Sequence, residues 1–190
     1  FLLNNIPSEK IKSNIELKNI KYGEKLKLSL STNLVEEFDY LVVSDGVFSK
    51  TKSIIFKKDT NPKFFNSVAL RANIRNIDSN NISLYLGSNF HFVVYPVNQN
   101  KEFNFISIIR KKIKINEILN QNLFESTEFL NNLINEIYKK TSLDLKGKLQ
   151  NVKSFPIYVS EKFENFNQKN IYFVGDALFA LPPTFAQGAS

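Results

Sequence analysis

The 190-residue chain reads as an α/β protein, α+β in overall balance, with an antiparallel sheet and a helix inserted between two pieces of a parallel-sheet domain. Two uninterrupted apolar runs, Tyr40-Leu-Val-Val43 and Ile171-Tyr-Phe-Val174, have the length and continuity of short strands buried on both faces. Each stops at a turn signal, Asp45-Gly46 after the first and Gly175-Asp176 after the second. Between them the pattern changes to strict apolar–polar alternation and then to helical spacing.

Taken in order, Phe1 to Ile6 has helix-compatible spacing that stops before Pro7, as at the tail of a helix. A start at Phe1 rather than Met adds the expectation that the chain is an internal fragment. Ile15 to Tyr22 and Lys25 to Ser31 form a hairpin around Tyr22-Gly23-Glu24, with Leu26, Leu28 and Leu30 alternating with polar neighbours. The buried strand Tyr40 to Val43 follows, and Asp59-Thr-Asn-Pro62 marks a break.

Ser67 to Ile74, Ile82 to Leu86, Phe90 to Val97 and Glu102 to Arg110 then predict an antiparallel sheet of about four strands. In it His91, Val93 and Tyr95 share a face, where they would line a pocket with Arg71. Glu117 to Phe124 predicts a short helix. Ser126 caps a longer one through Lys140, with Leu130, Leu133, Ile134 and Ile137 on its core side. Ser154 to Tyr158 leads back to the first domain. After the Ile171 to Val174 strand, Pro182-Pro183 precede small residues that open a helix.

Chemistry is expected at the two turns. Ligands of open α/β sheets bind beyond the carboxyl ends of the strands. A carboxylate there accepts hydrogen bonds from ligand hydroxyls, small residues let backbone N–H groups approach, and a starting helix presents its positive end. The combination suits a ligand with hydroxyls and an oxygen that becomes anionic.

The last stretch resembles the second flavin-binding signature of the FAD-dependent aromatic hydroxylases, the superfamily of the p-hydroxybenzoate, salicylate and ubiquinone-pathway enzymes. Gly175, Asp176, Ala177, Pro182, Pro183, Gln187 and Gly188 fall at matching positions; Phe179 replaces His, Ala186 replaces Gly and Ser190 replaces Asn. Asp39 to Lys52 is similar to the family's other internal signature through Asp39, Asp45, Gly46 and Ser49. Val43-Ser44 there replace Gly-Ala, and Lys52 replaces Arg with its planar fork lost. His91-Phe-Val-Val-Tyr95-Pro96 also resembles a hairpin of the family's substrate domain.

The resemblance implies two segments of a Rossmann-like FAD-binding domain, 1–58 and a truncated 154–190, flanking an inserted substrate domain, 59–153. The family's Gly-x-Gly-x-x-Gly element is not here, since the six glycines never fall at that spacing. By carry-over, FAD is held by Asp45, Gly46, Gly175, Asp176, Pro182, Pro183, Gln187, Gly188 and Ala189. Asp176 would bind the ribityl chain, Pro182-Pro183 would shape the site beside the reactive ring, and the backbone of Gln187 to Ala189 would face its pyrimidine end. The implied activity is a monooxygenase in which NADPH or NADH reduces FAD and O2 supplies a hydroxyl to a small aromatic or quinone-precursor substrate held near Arg71, His91 and Tyr95. The isolated piece would be inactive, and no residue is assigned to the chemical step. Two other readings stay open: a related FAD-dependent reductase or dehydrogenase, and a degenerate, non-enzymatic binding domain marked by Phe179, Ala186 and Ser190.

Composition narrows the field. Cys, Met and Trp are absent, which removes disulfides, thiolate metal sites and cysteine nucleophiles, and His91 is the only histidine. The net charge of +7 invites a nucleic-acid reading, but 25 basic residues include only three arginines, Arg71, Arg75 and Arg110, and the lysines are scattered. No nucleic-acid partner and no metal are expected, and Arg110 to Lys114 reads as a solvated strand end. No apolar run reaches membrane-spanning length, peripheral membrane contact stays open, and a cytoplasmic location is expected.

Overall fold

The computed structural model describes residues 3–74, 80–99, 101–141, 147–162 and 167–183. They form two compact units: the residues up to Pro62 with Ser160–Leu181, and Lys63–Val159 with Pro182 and Pro183. In the first unit the expected helix tail is one 3₁₀ turn, Leu3–Asn5. The hairpin forms as β1 (Leu17–Lys21) and β2 (Leu26–Leu30), and a further strand, β3 (Val35–Phe38), continues the meander in the order β1-β2-β3. Lys27 sits opposite Glu37 in that register, with an ion pair of 2.7 Å. β4 (Leu41–Val43) leads through Asp45-Gly46 into α1 (Lys50–Phe56), whose first turn is capped by the Ser49 hydroxyl accepting from the Lys52 N–H at 2.9 Å.

The second unit is a five-stranded antiparallel sheet, not the expected four. β5 (Lys63–Ile74), β6 (Ser83–Leu86), β7 (Phe90–Val97), β8 (Glu102–Arg110) and β9 (Leu149–Val159) lie in the order β6-β7-β8-β5-β9. The added strand, β9, runs through 154–158, where the sequence suggests only a return segment. The single helix expected over 117–124 is two short ones, α2 (Ile115–Ile118) and α3 (Gln121–Glu125), because Asn120 leaves the helix and caps the second through its side chain. α4 (Thr127–Thr141) matches the expected long helix, and the Ser126 hydroxyl accepts from the Phe129 N–H at 3.2 Å.

One face of this sheet is the core. Val68, Leu70, Ala72 and Ile74 of β5 join Phe92, Phe103, Phe105 and Ile109, and Phe124, Leu133 and Ile137 close over them from α3 and α4. The period of two along each strand puts Arg71, His91 and Tyr95 on the opposite face. Leu133 and Ile137 are almost wholly buried, so truncating either to Ala is expected to cost about 2–5 kcal/mol. Polar groups inside the unit are partnered: Ser154 donates to the Phe124 carbonyl at 2.6 Å and Ser107 to the His91 carbonyl at 3.1 Å.

The chain continues in the first unit as β10 (Ile171–Phe173), parallel to β4, and then forms α5 (Asp176–Phe179). Ile171, Val43, Ile20, Leu26, Leu28, Ile55 and Ala177 make the core. Here the expectation of strands buried on both faces fails. Tyr40, Val42, Tyr172 and Val174 are 65%, 59%, 52% and 44% exposed, whereas Val43 and Ile171 are below 5%. Among the described residues β4 and β10 pair only with each other, and the meander and α1 cover only one face. The outer face keeps its apolar side chains, with the Tyr40 and Tyr172 rings 6.2 Å apart.

Candidate functional site

The parallel register, Ile171 with Leu41 and Phe173 with Val43, makes both strands end together. A further bond, from the Val174 N–H to the Val43 carbonyl at 3.0 Å, carries the ladder one step further. The two turns singled out in the sequence therefore emerge at one end of one sheet. Asp45, Gly46, Gly175 and Asp176 all lie there.

The two carboxylates differ in what they do locally. Asp45 is exposed, and its Oδ2 accepts from the Thr51 N–H at 3.2 Å, so it serves the amino end of α1. Asp176 is also exposed, at the first position of α5. Its carboxylate makes no hydrogen bond or ion pair to any described residue. Gly175 precedes it with φ +57° and ψ −143°, and a Cβ added there would meet nothing within 4 Å. The turn thus needs glycine for its dihedrals and leaves the backbone approachable. Gly46 is likewise left-handed, with φ +81°.

Lys52 ties the two turns together. It is 8% exposed, and its ammonium donates to the Leu178 carbonyl of α5 at 2.9 Å. The Ser160 hydroxyl accepts from the Ala180 N–H, also at 2.9 Å, and holds the chain just beyond α5. Phe173 stacks on Phe56 with ring centroids 5.8 Å apart. Phe179 is half-buried, Pro182 is half-buried and Pro183 exposed. Gln187, Gly188 and Ala189 lie outside the described residues.

In the second unit Arg71, His91 and Tyr95 share the open face, as expected, but do not converge. Arg71 is in line with Ile106 and Val93, His91 with Ile108 and Ala69, and Tyr95 with Asn104 and Asn73. His91 and Tyr95 stand four residues apart on β7, about 13 Å along the strand. Tyr95 is occupied by a hydrogen bond from the Asn104 amide at 3.2 Å. Burial pushes the His91 imidazole below its ordinary value, so the ring is neutral at neutral pH.

A cavity of about 250 Å³ at one end of this face is lined by His91 but by neither Arg71 nor Tyr95. Phe65, Ser67, Phe90, Ile108 and Arg110 complete most of its wall. Sequence reasoning marks none of these five as site residues. Among the described residues no group of three His, Asp or Glu is placed to hold a metal ion, and no helix is long and apolar enough to cross a membrane.

No family model matches the chain, and no curated protein sequence matches it. Solved structures do. A salicylate hydroxylase substrate complex superposes with TM-score 0.67 at 15% identity, over 93% of this chain and 48% of that one. Klebsiella pneumoniae HpxO complexed with FAD and uric acid gives 0.62 at 14%, over 90% and 45%. Pseudomonas aeruginosa PqsL in complex with 2-aminobenzoylacetate gives 0.63 at 16%, over 92% and 48%. At these identities the likeness establishes the fold. The chain spans about half the length of the structures it matches.

Proposed function

We propose that this chain is part of an FAD-dependent monooxygenase that uses NADH or NADPH and O2 to hydroxylate a small aromatic or quinone-precursor substrate in the cytoplasm. One observation carries the reading: the Asp45-Gly46 and Gly175-Asp176 turns meet at the carboxyl end of a parallel strand pair, where Asp176 presents an exposed carboxylate with no partner among the described residues. Such a group accepts hydrogen bonds from a polyhydroxyl chain, and the open Gly175 backbone lets that chain lie close. The residues present fit the ribityl part of FAD. The salicylate hydroxylase, HpxO and PqsL structures share the fold and support the reading.

Bound there, FAD would supply the redox chemistry. This chain's own part is to bind and orient it: Asp176 accepts from hydroxyls, Lys52 holds α5 through Leu178, and Asp45 steadies α1. Pro182, Pro183, Gln187, Gly188 and Ala189 are proposed as further FAD-binding residues. Arg71, His91 and Tyr95 are proposed to face the substrate.

The test is flavin retention in the protein that contains this chain. Asp176→Ala is expected to weaken FAD binding by about tenfold or more, the worth of a charge-assisted hydrogen bond. Unchanged flavin occupancy would sink the assignment. Incorporation of labelled O2 into product separates a monooxygenase from a reductase of the same fold.

A further inference from the structure

The five-stranded sheet has two edges, and only one of them is blunted. At β9 the edge carries Lys153 and Pro156, and its register against β5 shifts at two places. Charge, proline and irregular pairing are the devices that keep a sheet edge from adding another strand. β6, at the other edge, has none of them. Its sequence is Ser83-Leu-Tyr-Leu86, its pairing to β7 runs without a shift, and it pairs with no other strand among the described residues.

The register shows what that edge offers. The Gly87 N–H bonds to the Phe90 carbonyl at 2.9 Å, and Tyr85 stands opposite Phe92 and Ser83 opposite Val94. In an antiparallel pair the backbone groups of alternate residues turn to the neighbouring strand. Gly87, Tyr85 and Ser83 therefore face β7, while Leu86 and Leu84 direct their N–H and C=O groups away from it, and Ile82 continues that alternation just before the strand. The side chains of Ile82, Leu84 and Leu86 share the open face of the sheet, since Tyr85 between them stacks on the core residue Phe92 with ring centroids 4.3 Å apart. These three are 72%, 60% and 77% exposed.

The set is self-complementary. About a twofold axis at Leu84, an antiparallel neighbour of the same sequence places Leu84 against Leu84 and Ile82 against Leu86, so that apolar side chains meet apolar ones and outward backbone groups meet their like. Charge points the same way. Two copies of a chain with net charge +7 repel, and they meet at least cost where charge is absent. Residues 79–100 contain no Asp, Glu, Lys or Arg. Such a stretch gives an acidic or basic partner nothing to pair with.

We propose that β6 is a homodimerisation edge, at which two copies of this chain join their sheets by antiparallel β6–β6 pairing centred on Leu84. This pairing does not depend on flavin. The strand is short and buries less than a standard interface, so the dimer is weak, with a dissociation constant of about 1–100 µM.

Sedimentation velocity and amide hydrogen exchange on the protein that contains this chain test the pairing. A monomer–dimer equilibrium is expected in that range, and the Leu84 and Leu86 amides should exchange rapidly in dilute protein and more slowly as concentration rises. Leu84→Lys sets two ammonium groups against each other, and Leu84→Pro removes an outward donor but no bond to β7. Each should weaken the dimer at least about tenfold with the circular dichroism spectrum unchanged. Leu84→Ile should leave the dimer intact, as should Ile115→Lys at an exposed apolar site on α2. A monomer at every concentration up to about 1 mM overturns the proposal, as does a dimer unaffected by Leu84→Lys or Leu84→Pro. Leu84 and Leu86 amides already protected in the monomer overturn it too, because another segment then covers the edge.

Discussion

The ammonium nitrogen of Lys52 lies 2.9 Å from the carbonyl oxygen of Leu178, joining residues 126 positions apart in sequence. The bond runs from α1, which follows the first turn, to α5, which follows the second. It occupies a carbonyl near the end of a helix of four residues, too short to satisfy its own last turn. Lys52→Met keeps the stem but removes the donor, and is expected to lower stability by about 1–3 kcal/mol in urea denaturation. Lys52→Arg should retain most of it. An unshifted midpoint for Lys52→Met would show that the bond contributes nothing.

Two glycines should fail for different reasons. At Gly175 there is room for a methyl group, so Gly175→Ala pays only for backbone strain at φ +57°, of order 1–3 kcal/mol. At Gly87 the obstacle is the Phe90 ring. Thermal midpoints should fall for both single variants. Trimming the ring with Phe90→Leu should relieve Gly87→Ala and leave Gly175→Ala unrelieved.

Glu136 reports on acid stability. Burial opposes its ionisation, but Lys140 at 2.8 Å and Lys111 at 3.1 Å together outweigh that and hold the carboxyl below its ordinary 4.5. A lowered folded-state value stabilises the fold above 4.5 and loses that contribution as pH falls through the lowered value. Glu136→Gln should therefore be less stable than the parent near neutral pH, by under about 1 kcal/mol given solvent screening, and equal to it in strong acid. Urea midpoints across that range decide the matter.

His91 acts with the same slope for the opposite charge reason. Burial favours its neutral form, so the fold loses stability as protons bind the unfolded chain below 6.5. In His91→Gln the thermal midpoint should fall less between neutral pH and mildly acid pH. An equal fall in both proteins would assign the effect elsewhere.

The alternating strands and α4 were readable because one side of each is core and the other is not. β9 was hidden by Pro156, which interrupts its pattern; Pro lacks a ladder donor, and the structure places this strand at the sheet edge, where that is tolerated. β3 was hidden by Glu36-Glu37, whose charges are met across the meander by Lys12 and Lys27. The continuous apolar runs of β4 and β10 announced strands correctly but overstated burial, since composition cannot say which face another element covers. Turn chemistry singles out Asp176 and Gly175, whose site role is a proposal, while the tie made by Lys52 depends on a carbonyl 126 residues away and leaves no local mark.

The first and last strands of the second unit are partners, with Lys63 opposite Val159. Entry and exit are therefore side by side, and the span between them closes on itself through the sheet's own hydrogen bonds. Such a span behaves as a cassette. Its host segments feel two neighbouring attachment points, whatever lies between, and lengthening the insert adds little loop-closure entropy. Selection can then remodel the strands of the span while the Lys52–Leu178 tie and the paired turns stay as they are.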